Sequence, residues 1–167
     1  MEEIKVEKIK TQDIPEVKEL LDETWRYTYG KYYQAQSADR IIAGIHDAKM
    51  LKEQAEQSNI YFAVAKNKTG KIVGTITVRK VDGITVFMNR LYVHPDFQGQ
   101  GIGKRLLTAA FEFFPEAKKI RVECEKKNGS GCGFYLKQGF EIIGEKDEVV
   151  EGVNSTAVEF EKEIVRQ

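Results

Sequence analysis

Residues 91–107 read LYVHPDFQGQGIGKRLL. LYV ends a run of strand character, and Leu106 and Leu107 open a helical face. Between them, Gly99, Gly101 and Gly103 fall within five positions. Glycine costs about 0.5–1 kcal/mol relative to alanine inside a regular element, so this turn needs a reason for its glycines. A helix N-terminus leaves its first N–H groups unpaired and partially positive. Glycines let an anion reach those groups without a Cβ in the way, which makes a phosphate or pyrophosphate cradle. The competing reading is a tight turn that binds nothing.

Two common phosphate motifs fail on named residues. A P-loop around Gly103-Lys104 has Gln98 where its first glycine belongs and Arg105 where its hydroxyl belongs. That excludes a magnesium-dependent NTPase of this type. A dinucleotide fingerprint has Lys104 where its third glycine belongs, and its strand should open the domain rather than lie past the middle.

Working outward, Ile4, Val6 and Ile9 predict a first strand. Asp13 is a candidate N-cap, and Pro15 sits early in the helix carrying Ile14, Val17, Leu20 and Leu21. TWRYTYGKYY, residues 24–33, follows. Ser37 is a candidate cap for a second helical segment through Ile41, Ile42 and Ile45, and a third runs from about Met50 to Gln57. NIYFAVAK, KIVGTITVRK and ITVFMNRLYV then predict a three-strand meander over about residues 60–93, broken by NKTGK and VDG. After Gly103, the face Leu106, Leu107, Ala110, Phe111 and Phe114 predicts a helix stopped by Pro115. KKIRVECE reads as a strand, SGCGFYLKQ as a short helix closed by Gly139, and two strands end the chain. The predicted fold class is α/β or α+β, with a mixed, mostly antiparallel sheet of about seven strands flanked by helices.

The 167 residues suit one domain spanning residues 1–167. The formal net charge is zero, which argues against a nucleic-acid binder. No apolar stretch approaches the ~20 residues of a membrane span, and MEEIKVEKIK lacks the apolar segment of a signal peptide. Cys124 and Cys132 do not make a disulfide framework, so a cytoplasmic chain with free thiols is expected. Nothing in the sequence calls for a metal.

LYVHPDFQGQGIGKRLL closely resembles the acetyl-CoA-binding segment of the GNAT superfamily of N-acetyltransferases. Gln98, Gly101 and Gly103 match the family pattern of Gln or Arg, two residues, Gly, one residue, then Gly or Ala. A second family segment follows in NGSGCGFYLKQGF, where Asn128 lies seven residues before Tyr135 and Gly139-Phe140 comes next. The element order matches too, so the resemblance covers essentially the whole chain and implies the GNAT fold.

The resemblance implies specific roles. Leu91, Tyr92 and Val93 would pair with the pantetheine arm of acetyl-CoA, as an added strand would. The turn Gln98, Gly99, Gln100, Gly101, Ile102, Gly103 and Lys104 would hold the pyrophosphate, with charge from Lys104 and Arg105 in support. Asn128 would bind the pantetheine arm or order its loop, or act only as a helix cap. Tyr135 would donate a proton to the leaving thiolate; the bland reading is a buried aromatic beside Phe134. Many family members carry a glutamate where Phe87 stands, which leaves the base unassigned among Glu123, Glu125 and a water chain. Direct attack in a ternary complex is expected. Cys124 and Cys132 read as packing residues, His94 as a turn-shaping residue and His46 as a surface one.

The resemblance implies a primary amine as the acceptor. Trp25, Tyr27, Tyr29, Tyr32 and Tyr33 would either bind a cation or pack helices onto the sheet. Glu145, Asp147, Glu148 and Glu151, read as a loop, would give an acidic rim or merely a solvated face. The TWRYTY opening also resembles polyamine acetyltransferases of the bacterial PaiA type. These features favour a small amine such as a polyamine. A protein lysine or N-terminal amine is the alternative, and a non-catalytic acyl-CoA-binding module is the rival of another class. A homodimer through the C-terminal strands is implied by family analogy alone.

Overall fold

The β-branched runs fold as the predicted meander. In the computed structural model, which describes residues 3–166, β2 (Ile60–Lys66), β3 (Ile72–Lys80) and β4 (Thr85–Val93) pair antiparallel in succession. A first strand, β1 (Lys5–Lys8), pairs antiparallel with β2. Beyond β4 lie β5 (Lys119–Glu125), β6 (Glu141–Val150) and β7 (Val153–Glu163). Among the described residues these make one seven-stranded sheet in the order β1-β2-β3-β4-β5-β7-β6, in which β4–β5 is the parallel pair. Five helices flank it: α1 (Ile14–Tyr29), α2 (Ala35–Ile45), α3 (Ala48–Glu56), α4 (Ile102–Phe113) and α5 (Gly129–Lys137).

Both faces of the central strands are buried, which is why β2 and β3 read as nearly continuous apolar runs. Along β2 the side chains alternate. Ile60, Phe62 and Val64 pack with α1 and α3 residues Val17, Leu20, Leu21 and Leu51. Tyr61, Ala63 and Ala65 pack with Ile102, Leu106 and Ala110 of α4 on the opposite face. A third cluster joins Trp25 and Tyr29 to Ala38, Ile41 and Ile42 of α2, against Tyr92 of β4.

The site is positioned by a defect in the sheet. β4 and β5 pair only over Thr85–Met88 and Lys119–Val122. From Asn89 to Val93, β4 stays on β3 and leaves β5. The β3–β4 register slips at the same place: Val78 faces Met88 and Thr77 faces Arg90, which leaves Asn89 as an extra residue. Such a bulge bends its strand, and here it coincides with the point where the sheet splays.

Some local expectations are corrected. α2 begins at Ala35 with Gln34 at its N-cap, so Ser37 lies inside the helix rather than capping it. Asp13 does precede α1, but its carboxylate accepts from the Lys10 N–H at 2.9 Å and from Lys66 Nζ at 3.0 Å, not from the helix. Asp47 caps α3 instead, accepting from the Met50 N–H at 3.0 Å. The acidic stretch, read both as part of the first closing strand and as a loop, is strand through Val150. The β6–β7 turn is made by Glu151 and Gly152, at φ 49° and 78°, the backbone signs of a tight hairpin turn.

Candidate active site

The glycine turn has two different causes. Gly99 and Gly101 lie at φ 77° and 79°, a region that side chains with a Cβ rarely adopt, and nothing lies within 4 Å of where a Cβ would stand on either. Gly103 has ordinary helical geometry, but a Cβ there would sit 3.2 Å from the Phe134 ring. Its glycine lets α4 and α5 approach. The first helical hydrogen bond of α4 runs from the Arg105 N–H to the Gly101 carbonyl at 3.1 Å, and no side chain caps the end. The N–H groups of Ile102, Gly103 and Lys104 therefore precede the helical ladder. Ile102 anchors the turn in the core, while Gln100 and Lys104 are exposed. Gln98 ties the turn to β4, its Nε2 donating to the Val93 carbonyl at 2.9 Å. Arg105 does not support this site: its guanidinium donates to the Ile4 carbonyl.

Leu91 and Val93 turn towards the α4 face and Tyr92 towards α1 and α2. Their edge towards β5 is the one the splay opens. Asn128 is the N-cap of α5, its Oδ1 accepting from the Gly131 N–H at 2.9 Å. Its Nδ2 also donates to the Tyr29 hydroxyl at 3.2 Å. Tyr135 is buried, its ring 5.4–5.5 Å from those of Phe140, Phe134 and Phe160. Burial, reinforced by Cys124, Tyr92 and Cys132, pushes its phenol well above its ordinary range, so it stays protonated as a donor.

A cleft of about 360 Å³ opens where β4 and β5 part. Trp25, Tyr29 and Tyr33 wall one side, with Trp25–Tyr29 at 4.9 Å and Trp25–Tyr33 stacked at 5.7 Å. Phe87 and Tyr92 of β4 face them. Tyr27 and Tyr32 of the same aromatic run point to solvent instead. Phe87 lies under the Arg79 guanidinium at 4.8 Å, so this position supplies no carboxylate.

Glu123, Glu125 and Glu148 do line the cleft. Glu125 is a hub: its Oε2 accepts from the Tyr33 hydroxyl at 3.3 Å and from the Ser155 hydroxyl, and its Oε1 accepts from the Lys127 N–H at 3.2 Å. Glu123 is paired with Lys146 at 2.7 Å. Of the acidic stretch, Glu148 faces the cleft, whereas Glu145 pairs with Lys126 at 3.0 Å and Asp147 accepts from Thr156 at 2.8 Å. An adjoining cleft of about 540 Å³ shares Glu125, Glu148 and Ser155.

Both histidines are buried. His94 shapes the turn as expected, its Nδ1 accepting from the Asp96 N–H at 3.2 Å. His46 overturns its surface reading: it is 1% exposed, with Nδ1 3.1 Å from Asp22 and its ring edge-on to Tyr92. It extends the stripe Ile41, Ile42 and Ile45 by one position, a signal that places it inwards. Arg90 had no sequence signal. Half-buried, it donates to Gln54 Oε1 at 2.6 Å and to the Ile45 carbonyl at 3.2 Å, fastening the end of α2 to β4.

Known proteins resemble the chain in sequence and in fold. The chain is 26% identical over 148 residues to a spermidine N(1)-acetyltransferase of Thermoplasma acidophilum, covering 83% of this chain and 89% of that protein. It is 35% identical over 60 residues to the peptidyl-lysine N-acetyltransferase YjaB of Salmonella typhimurium, 36% of this chain and 39% of that one. The fold matches the PaiA N-acetyltransferase of Thermoplasma acidophilum, solved in complex with coenzyme A, with a TM-score of 0.82 over 97% of this chain and 99% of that one at 23% identity. It also matches the ribosomal-protein-S18-alanine N-acetyltransferase of Escherichia coli, with a TM-score of 0.73 over 99% and 96% of the two chains at 14% identity. A family model matches residues 14–140, from the start of α1 to the turn after α5, and by that match the chain belongs to the acetyltransferase (GNAT) family of N-acetyltransferases.

Proposed function

We propose that the chain moves the acetyl group of acetyl-CoA to a primary amine of a small polycation such as a polyamine, by direct attack in a ternary complex. The observation that carries this reading is the cleft at the β4–β5 splay, walled by aromatic rings and carboxylates. Rings and carboxylates together suit a flexible molecule with several ammonium groups. Glu125, held in place by three donors, presents a fixed carboxylate to the cleft, where it suits an ammonium group.

In this reading the turn Gln98–Lys104 holds the pyrophosphate on unpaired N–H groups, and Leu91, Tyr92 and Val93 offer backbone to the pantetheine arm. Asn128 orders the start of α5 beside that arm. Tyr135 donates a proton to the thiolate as it leaves. The acceptor amine, ordinarily near pKa 10.4, must shed a proton before it attacks. With Phe87 where a carboxylate is often found, that proton leaves through water at the carboxylates lining the cleft. A protein amine is the second reading, favoured by the adjoining cleft, which lengthens the groove beyond what a short amine fills.

The test is release of free CoA from acetyl-CoA across spermidine, spermine, monoamines, amino acids and short peptides. Fast turnover with polyamines and slow turnover with peptides supports the first reading. The reverse order moves the assignment to a protein amine. Silence with acetyl-CoA still bound removes the catalytic reading.

A further inference from the structure

Asn128 and Tyr29 lie 99 residues apart, on the second acetyl-CoA-type segment and at the end of α1, yet their side chains meet. The direction of this contact is fixed. Asn128 Oδ1 is occupied by the Gly131 N–H, so the amide nitrogen faces Tyr29 and donates. The Tyr29 oxygen is therefore an acceptor in this bond, and its own proton is left to point elsewhere. Among the described residues no protein acceptor takes it.

The ring is 9% exposed and is held by Trp25 and Tyr33 at 4.9 and 6.3 Å. Tyr29 lines the cleft, and the groups near enough to perturb its hydroxyl are Tyr92 on β4, Cys124 on β5 and Tyr135 on α5. Those residues surround the gap where β4 and β5 part. Tyr135 is not among the residues that line the acceptor cleft, whereas Tyr29, Tyr92 and Cys124 are. Burial pushes the Tyr29 phenol above its ordinary range, so it is a hydrogen-bond donor and not a base.

We propose that Tyr29 is a second catalytic residue, whose hydroxyl, aimed by Asn128, donates a hydrogen bond to the acyl oxygen of the thioester. This rests on the acetyl-transfer reading above. The amine nitrogen attacks the acyl carbon, a C–N bond forms, and the carbonyl electron pair moves onto oxygen. Tyr29 stabilises that oxyanion without giving up its proton. As the pair returns, the C–S bond breaks and the thiolate leaves with the proton from Tyr135. The proton lost by the amine restores that phenol through solvent, so acetyl-CoA and amine give amide and CoA in balance. The two phenols divide the work: Tyr29 serves oxygen and Tyr135 serves sulfur.

The test uses Tyr29→Phe, which keeps the ring and its packing, with acetyl-CoA and the best amine of the panel. The expected result is a kcat lower by about 10²-fold, as for loss of one oxyanion donor, with KM for acetyl-CoA changed less than about threefold and a melting temperature lowered by a few degrees at most, for loss of the Asn128 hydrogen bond. Asn128→Asp supplies the second readout. It keeps the helix cap but turns the donor into an acceptor, which recaptures the Tyr29 proton. N128D should lower kcat in the wild-type background and add little to Y29F. A Y29F enzyme within about threefold of wild-type kcat overturns the assignment, as does an N128D loss equally large in both backgrounds. A silent wild type instead removes the acetyl-transfer reading, and this inference with it.

Discussion

His46 carries no charge in the folded protein at neutral pH. Burial, with Arg90 and Lys18 close by, pulls its pKa from 6.5 to about 4, even though Asp22 pulls it upwards. The folded state thus refuses a proton that the unfolded chain accepts below pH 6.5. Stability from this site is complete above 6.5 and is lost as the pH falls towards 4. The denaturation midpoint in urea should fall across that window. His46→Gln keeps a polar side chain at the end of α2 but removes the titration, so its midpoint should fall less steeply. Equal slopes for the two proteins would place the acid sensitivity elsewhere. Because His46 packs on Tyr92 at the cleft, the same acid step should also raise the acceptor KM.

At the scale of the element, the α4 turn separates two kinds of glycine. Gly101→Ala forces a left-handed backbone on a residue with a Cβ, which costs about 1–2 kcal/mol. The side chain itself meets nothing, so the loss is conformational. Gly103→Ala keeps easy backbone geometry but presses a Cβ on the Phe134 ring, and overpacking of this kind costs about 1–3 kcal/mol. Combining G103A with Phe134→Leu should return much of the lost stability, whereas the same partner should do nothing for G101A. Chemical denaturation of the four variants decides this, and equal responses to F134L would refute the distinction. The turn was legible in the sequence because the positive φ of Gly99 and Gly101 is a local demand that glycine meets best, whereas the reason for Gly103, the Phe134 ring, lies on another helix. The meander and α4 were legible from their periods of 2 and 3.6. The bulge at Asn89, the inward turn of Trp25, Tyr29 and Tyr33, the Arg90 clasp and the Tyr29–Asn128 bond were not. Each depends on partners distant in sequence, and no local pattern encodes which face of an aromatic run will meet them.

At the scale of the molecule, the splayed sheet is the feature that packing leaves incomplete. β4 from Asn89 to Val93 has a partner on one edge only, and the turn behind it presents unpaired N–H groups. A ligand that fills the gap binds the folded state and not the unfolded chain. It therefore stabilises the fold by mass action, by about 2.7 kcal/mol at 100 times its Kd. For a chain of this size each kcal/mol moves the melting temperature by roughly 2–4 °C, so saturating acetyl-CoA should raise it by roughly 5–11 °C. ATP has phosphates for the turn but no pantetheine arm for the β4 edge, and it should raise it far less. G101A should shrink the acetyl-CoA shift by weakening the cradle, while Y29F should leave it intact, because that hydroxyl acts on the reacting carbonyl and not on the arm. Equal shifts with ATP and acetyl-CoA would mean that the turn binds phosphate without the splay taking part, and the link between the sheet defect and the co-substrate would fail.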